Sequence, residues 1–137
     1  MKNILFVAAV VCSVNLYGAV KQEIYRDASG KIIARSTQNG NQTVYRDRSG
    51  KITAVATKQG KQTIYRDASG KIIKRATENG NRTVYRDSQG RIEAVKTTNG
   101  QNAVYRDASG KIVGRQTQNG SSTVFRNSKG QIKAVKR

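Results

Sequence analysis

An all-β fold made of tandem 20-residue units is what this sequence predicts, and three observations carry it. A pattern typified by TVYRDRSGKI (residues 43–52) recurs six times between Lys21 and Arg137 without insertion or deletion; a fixed period of this length marks a repeat architecture. Glycine returns every ten residues, at Gly30, Gly40, Gly50 and onward, which leaves no room for a three-turn helix. The segments between glycines are rich in Val, Ile, Thr and Tyr, and the chain contains no proline, as strands require.

The elements follow in order along each unit. Segments such as QTVYR and KIIARST form the strands. Asn39-Gly40, Asn79-Gly80, Asn99-Gly100 and Asn119-Gly120 are two-residue hairpin signals, because Asn and Gly tolerate positive φ. The alternate turn, Asp-x-Ser-Gly-Lys, suits a type I turn with a left-handed glycine, its Asp accepting from backbone N–H groups. Units begin near residues 21, 41, 61, 81, 101 and 121, with cap-like departures at Glu23 in the first and at Phe125, Asn127 and Gln131 in the last.

A finer pattern has a period of 40. Arg35, Val55, Arg75, Val95, Arg115 and Val135 alternate strictly, and the positions two residues earlier follow in part. In a meander, one two-residue loop and one three-residue loop per unit would turn equivalent residues to opposite faces in successive units. In a β-solenoid, alternation would avoid an unbroken arginine ladder. Three 40-residue modules also match a β-trefoil. The steadily apolar positions are few (Ile32, Val44 and Tyr45 types, with small Ala34-type residues between). That inventory is thin for a globular core. The expected architecture is therefore an elongated antiparallel sheet or β-solenoid with open edges, and the alternative is the trefoil.

Residues 1–19, MKNILFVAAVVCSVNLYGA, have the layout of a secretory signal peptide: Lys2, an apolar run, then small residues at Gly18 and Ala19. Residues 20–137 form the single mature domain, destined for the periplasm, cell surface or extracellular space. Cys12 is preceded by Val11 where a lipoprotein signal wants a small residue, so lipid anchoring is not expected. With Cys12 removed the domain has no thiol or disulfide, and it must hold together by pairing and packing.

The whole chain has 26 Lys and Arg against 8 Asp and Glu; removing Lys2 with the leader leaves 25 against 8, or +17. Such charge attracts anionic polymers and surfaces: lipopolysaccharide, acidic glycan or nucleic acid. The simpler reading is that it maintains solubility and discourages edge pairing. The absence of histidine and of mature cysteine removes the commonest bases, nucleophiles and transition-metal ligands. The aspartates sit in identical turns, unlike an acid–base pair held in distinct settings. No enzyme activity, cofactor or metal is expected.

Two rows of side chains remain as candidates. One is basic: Arg26, Arg46, Arg66, Arg86, Arg106 and Arg126, with Lys31, Lys51, Lys71, Arg91 and Lys111 in the turns. These would contact an anionic ligand, or the arginines would pair with the adjacent aspartates. The other is aromatic: Tyr25, Tyr45, Tyr65, Tyr85 and Tyr105, either a stacking platform for sugars or bases or cross-strand packing.

Tyr45, Asp47, Gly50, Lys51 and Ile52, a spacing kept in all six units with Arg91 in the fourth and Phe125, Asn127 and Gln131 in the last, resemble the YD repeat of Rhs-type bacterial proteins; Arg46 stands where that family has a second tyrosine. The resemblance implies β-hairpin units joined into a long sheet, as a structural or carbohydrate-associated shell. The general plan, a leader followed by short repeats rich in Gln, Asn, Gly and Ser, is also similar to curli-type subunits. That similarity implies a surface or matrix component capable of self-assembly.

Overall fold

A computed structural model describes residues 20–137; the expected signal peptide and Cys12 lie outside the described residues. Twelve antiparallel strands follow the chain: β1 Lys21–Arg26, β2 Ile32–Asn39, β3 Gln42–Asp47, β4 Ile52–Gln59, β5 Gln62–Arg66 and β6 Ile72–Asn79. They continue with β7 Arg82–Asp87, β8 Ile92–Asn99, β9 Asn102–Arg106, β10 Ile112–Asn119, β11 Ser122–Asn127 and β12 Ile132–Lys136. Each strand pairs with its neighbours in sequence, and β12 pairs with β1, so the meander closes into a barrel. The all-β, hairpin-by-hairpin expectation holds. The open sheet, the solenoid and the trefoil do not.

The turn at Asp47-Arg48-Ser49-Gly50-Lys51 takes the form its sequence predicts. Gly50 N donates to Asp47 O, Asp47 N donates to Lys51 O, and Gly50 has φ 91. The Asp47 Oδ1 accepts from Ser49 N, Ser49 Oγ and Lys51 N, which fixes the bend. The other turn sits one residue later than expected. Asn39 pairs with Gln42, so the loop is Gly40-Asn41, with positive φ at Gly40 alone. Glycine at the first central position is the signature of a type II′ turn, so the Asn39 that suggested a type I′ turn is the last residue of a strand.

A β-bulge explains why the barrel closes. After Tyr45 opposes Ala54, the partner of Arg46 is Ile52, so Thr53 is an extra residue in its strand. The same shift recurs at Ile33, Ile73, Glu93, Val113 and Lys133. Two hairpin loops of unlike parity would invert the faces from unit to unit. One inserted residue per unit cancels that inversion. All six aromatic heads therefore face inward, and the proposed flip between successive units does not occur.

The register also sets the dimensions. From Tyr25 through Ala34 the partners lead to Asp47, two residues beyond the equivalent Tyr45. Six such steps give a stagger of twelve for twelve strands. Equal stagger and strand number correspond to a tilt of about 35–40° and a backbone radius of roughly 10 Å.

That interior is wide, and large–small alternation fills it. Tyr45 lies between Ser36 and Ala54, and Tyr85 between Ala76 and Ala94. Tyr25, Tyr45, Tyr65, Tyr85, Tyr105 and Phe125 are only 1–4% exposed. The alanines that looked too small for a core are what let six rings converge. Ile33 and Ile73, both bulge residues, pack against this cluster at the Asp-turn end. Burying aromatics of this size contributes on the order of 2–3 kcal/mol each.

The outward face carries Gln42, Val44 and Arg46 in one strand of a unit and Thr57 and Val55 in the next. Its apolar row is far shorter than the roughly 25 Å band of a lipid-embedded barrel. Among the described residues no helix is long and apolar enough to cross a membrane.

Candidate functional site

The arginines expected to contact ligand form a ring around the Asp-turn end. Arg26, Arg46, Arg66, Arg86, Arg106 and Arg126 each donate from Nη1 to the carbonyl of the glycine four residues on, at 3.0–3.2 Å. One arm of each guanidinium is thereby anchored to its own turn; five of the six arginines are exposed and Arg26 is half-buried.

Pairing between these arginines and the neighbouring aspartates is not what the structure shows. One carboxylate oxygen, Oδ1, serves the turn: Asp27, Asp67 and Asp107 repeat the three contacts of Asp47, and among the described residues no ion pair joins these aspartates to the arginines. In these four, the serine hydroxyl, followed by the backbone N–H groups and the turn lysine, holds the carboxyl below its ordinary range against a smaller opposing effect of burial. At Asp87 burial pushes upward, and the backbone and guanidinium of Arg91 outweigh it.

The ion pairs of the described residues lie elsewhere. They are Lys21–Glu23, Lys58–Glu78, Lys74–Glu93, Arg91–Asp87 and Lys136–Glu23, at 2.8–3.3 Å. None involves the Arg26-type ring. Of the turn residues, Lys31, Lys51, Lys71 and Lys111 are exposed and outside these pairs, whereas Arg91 is held by Asp87. In the sixth turn Asn127 and Gln131 take the places of the aspartate and the cation, joined by a 2.8 Å amide hydrogen bond.

The 40-residue period acquires a structural meaning on the outer wall. Arg35 is the cross-strand partner of Arg46, Arg75 of Arg86 and Arg115 of Arg126. At the intervening positions Val55 faces Arg66, Val95 faces Arg106 and Val135 faces Arg26. A barrel with sixfold pseudo-symmetry inside thus has a threefold arrangement of arginine pairs outside. Like charges directly opposite each other destabilise a sheet, and the neighbouring units show that valine fits the same position.

The five tyrosines do not form an outer platform: all are inside the barrel. The Tyr105 hydroxyl lies 2.6 Å from Gln116 Oε1, and burial, reinforced by Tyr85 and Tyr65, raises its ionisation far above the ordinary tyrosine range. Arg35, Arg75 and Arg115 are the cross-strand neighbours of the ring that sequence reasoning did not assign, although their alternation was its visible signal. No protein-family model matches the chain, and comparison with curated proteins finds no match.

Proposed function

We propose that the mature domain is a secreted, non-enzymatic barrel that binds anionic polymers through its outer arginine belt, as a surface or matrix component. The supporting observation is the trio of Arg35–Arg46, Arg75–Arg86 and Arg115–Arg126 pairs, added to a ring of guanidiniums outside the ion pairs. Folding stability alone favours the valine of the alternate units. A multivalent anion such as an acidic glycan, lipopolysaccharide or nucleic acid compensates the repulsion when bound. Anchored guanidiniums lose less side-chain freedom on binding, and their planar forks suit sulfate, phosphate and carboxylate.

Polymerisation through strand edges loses its basis, because β1 and β12 pair with each other and leave no free edge among the described residues. The expected curli-like assembly is therefore not part of the proposal.

The test is chromatography on heparin and on duplex DNA over a salt gradient. The native protein should be retained strongly, with affinity falling steeply as salt rises. The triple variant Arg35→Val, Arg75→Val, Arg115→Val should fold at least as stably and elute at clearly lower salt. Unchanged elution would remove the belt from the function.

A further inference from the structure

The opposite, Gly-Asn end of the barrel carries a second feature, independent of the arginine belt. At the inward position after each Ala34-type residue, three successive units have Ser36, Ala56 and Ala76, all small, while the next three have Lys96, Gln116 and Lys136. The repeat is its own control: small residues suffice to pack beside the aromatic heads, yet half of the circumference departs from them. Beside that half lies an open cavity of about 350 Å3, whose lining includes Lys21, Glu23, Lys96, Gln116 and Lys136.

Two lysines share one carboxylate there, and a third stands outside the ion pairs. Glu23 is engaged by both Lys21 and Lys136, at 3.0 and 3.1 Å, with the side chains of Glu23 and Lys136 only 12% and 10% exposed. Lys96 belongs to none of the ion pairs and stands 5.9 Å from the centroid of the Tyr105 ring. Burial lowers its pKa, Glu78 partly opposes that, and Lys136 adds to it; an anion at this point would relieve both unfavourable contributions. Gln116 accepts the Tyr105 hydroxyl at Oε1, which orients the amide and leaves its N–H groups for another acceptor. A half-buried ammonium outside the ion pairs of the described residues, only partly offset by Glu78, is costly as mere filling beside a fixed amide and an aromatic ring.

We propose that this mouth binds a small acidic carbohydrate, a hexose-sized hydroxylated molecule with one carboxylate or phosphate seated on Lys96. The cavity lies at the lower end of the range of ligand pockets, roughly 300–1,000 Å3, which suits one sugar unit better than a chain. Amide and hydroxyl groups around the rim, Gln118 and Ser121 among them, supply partners for sugar hydroxyls.

The purified protein is titrated calorimetrically with D-glucuronate, D-glucose 6-phosphate and D-glucose, and the first two separate carboxylate from phosphate as the recognised group. Saturable one-site binding of at least one acid, about tenfold or more tighter than glucose, is expected, with a further loss of about tenfold in Lys96→Gln. Glutamine is already accepted at the equivalent Gln116, so this variant should fold; Lys136→Gln provides a second reading of the same site. The triple valine variant of the outer belt should bind the sugar normally, which separates this site from the belt. Absence of binding by both acids at 10 mM (about ten times the Kd of a weak, roughly 4 kcal/mol complex), equal affinity for glucose, or undiminished binding in both lysine variants would each overturn the proposal.

Discussion

Tyr25 on the first strand faces Lys136 on the last in the same register in which Tyr45 faces Ser36 within the chain. Ile24 and Arg137 exchange both backbone hydrogen bonds beside them, at 2.8 and 3.0 Å. The junction between the termini is thus one more copy of an internal strand pair that happens to lack its turn.

Circular permutation follows from that equivalence. Three residues, Gln-Asn-Gly, placed between Arg137 and Lys21 would complete the missing turn, and new termini can be opened at Gly80-Asn81. The permuted domain should melt within a few degrees of the original, as measured by circular dichroism. A wholly unfolded permutant would mean that the closing pair is not equivalent to the others.

The interior should be sensitive in both directions. Tyr65→Ala removes a ring that is 3% exposed and should cost about 3–5 kcal/mol in denaturant unfolding. Ala94→Leu fills the space between inward rings and should cost about 1–3 kcal/mol. Val55→Arg, on the outer wall, copies its neighbours and should cost well under either.

Acid should weaken the barrel through its turns. The folded-state pKa values of Asp27, Asp47, Asp67, Asp87 and Asp107 are lowered. Their contribution is therefore complete above the ordinary carboxylate pKa, near 3.9, and is lost as pH falls through the lower folded values. Asn127 already holds the sixth turn, accepting from Lys129 N and Gln131 N at 3.0 and 2.9 Å without a charge. Replacing the five aspartates by asparagine should preserve the fold and flatten the decline of melting temperature below pH 4.

At the alkaline limit the sign reverses. Burial first, then Tyr85 and Tyr65, raises the Tyr105 phenol, so its contribution is present below the ordinary tyrosine pKa, about 10, and lost above it. Absorbance of tyrosinate should appear abruptly with unfolding. A gradual titration of Tyr105 in the folded protein would contradict its burial.

Much of this fold is written in local sequence. The glycine spacing marks the turns, Asp47 and Ser49 specify the tighter one, and Val44, Tyr45 and Ile52 mark strands. The decisive feature is not local. Thr53 carries no signature as a bulge residue, since Ile, Glu, Val and Lys occupy its place in other units. Its effect appears only when strand parity is followed around the ring. The core was misjudged for a related reason. Ala34 and Ala54 look like weak hydrophobes in a linear count, whereas on a closed surface they are the gaps into which Tyr45 and its equivalents fit. The Arg35–Val55 alternation was visible, but its location on the outer wall depends on the same bulge.

Closure of the ring is tested most directly by nuclear magnetic resonance of β1 and β12. Because Ile24 and Arg137 form the hydrogen-bonded pair, Tyr25 and Lys136 are the close, non-hydrogen-bonded pair of the ladder. A strong Hα–Hα Overhauser contact between Tyr25 and Lys136, with slowly exchanging amides at Ile24 and Arg137, is the expected result. Fast exchange at both amides with no contact between the two strands would show an open array and contradict the barrel.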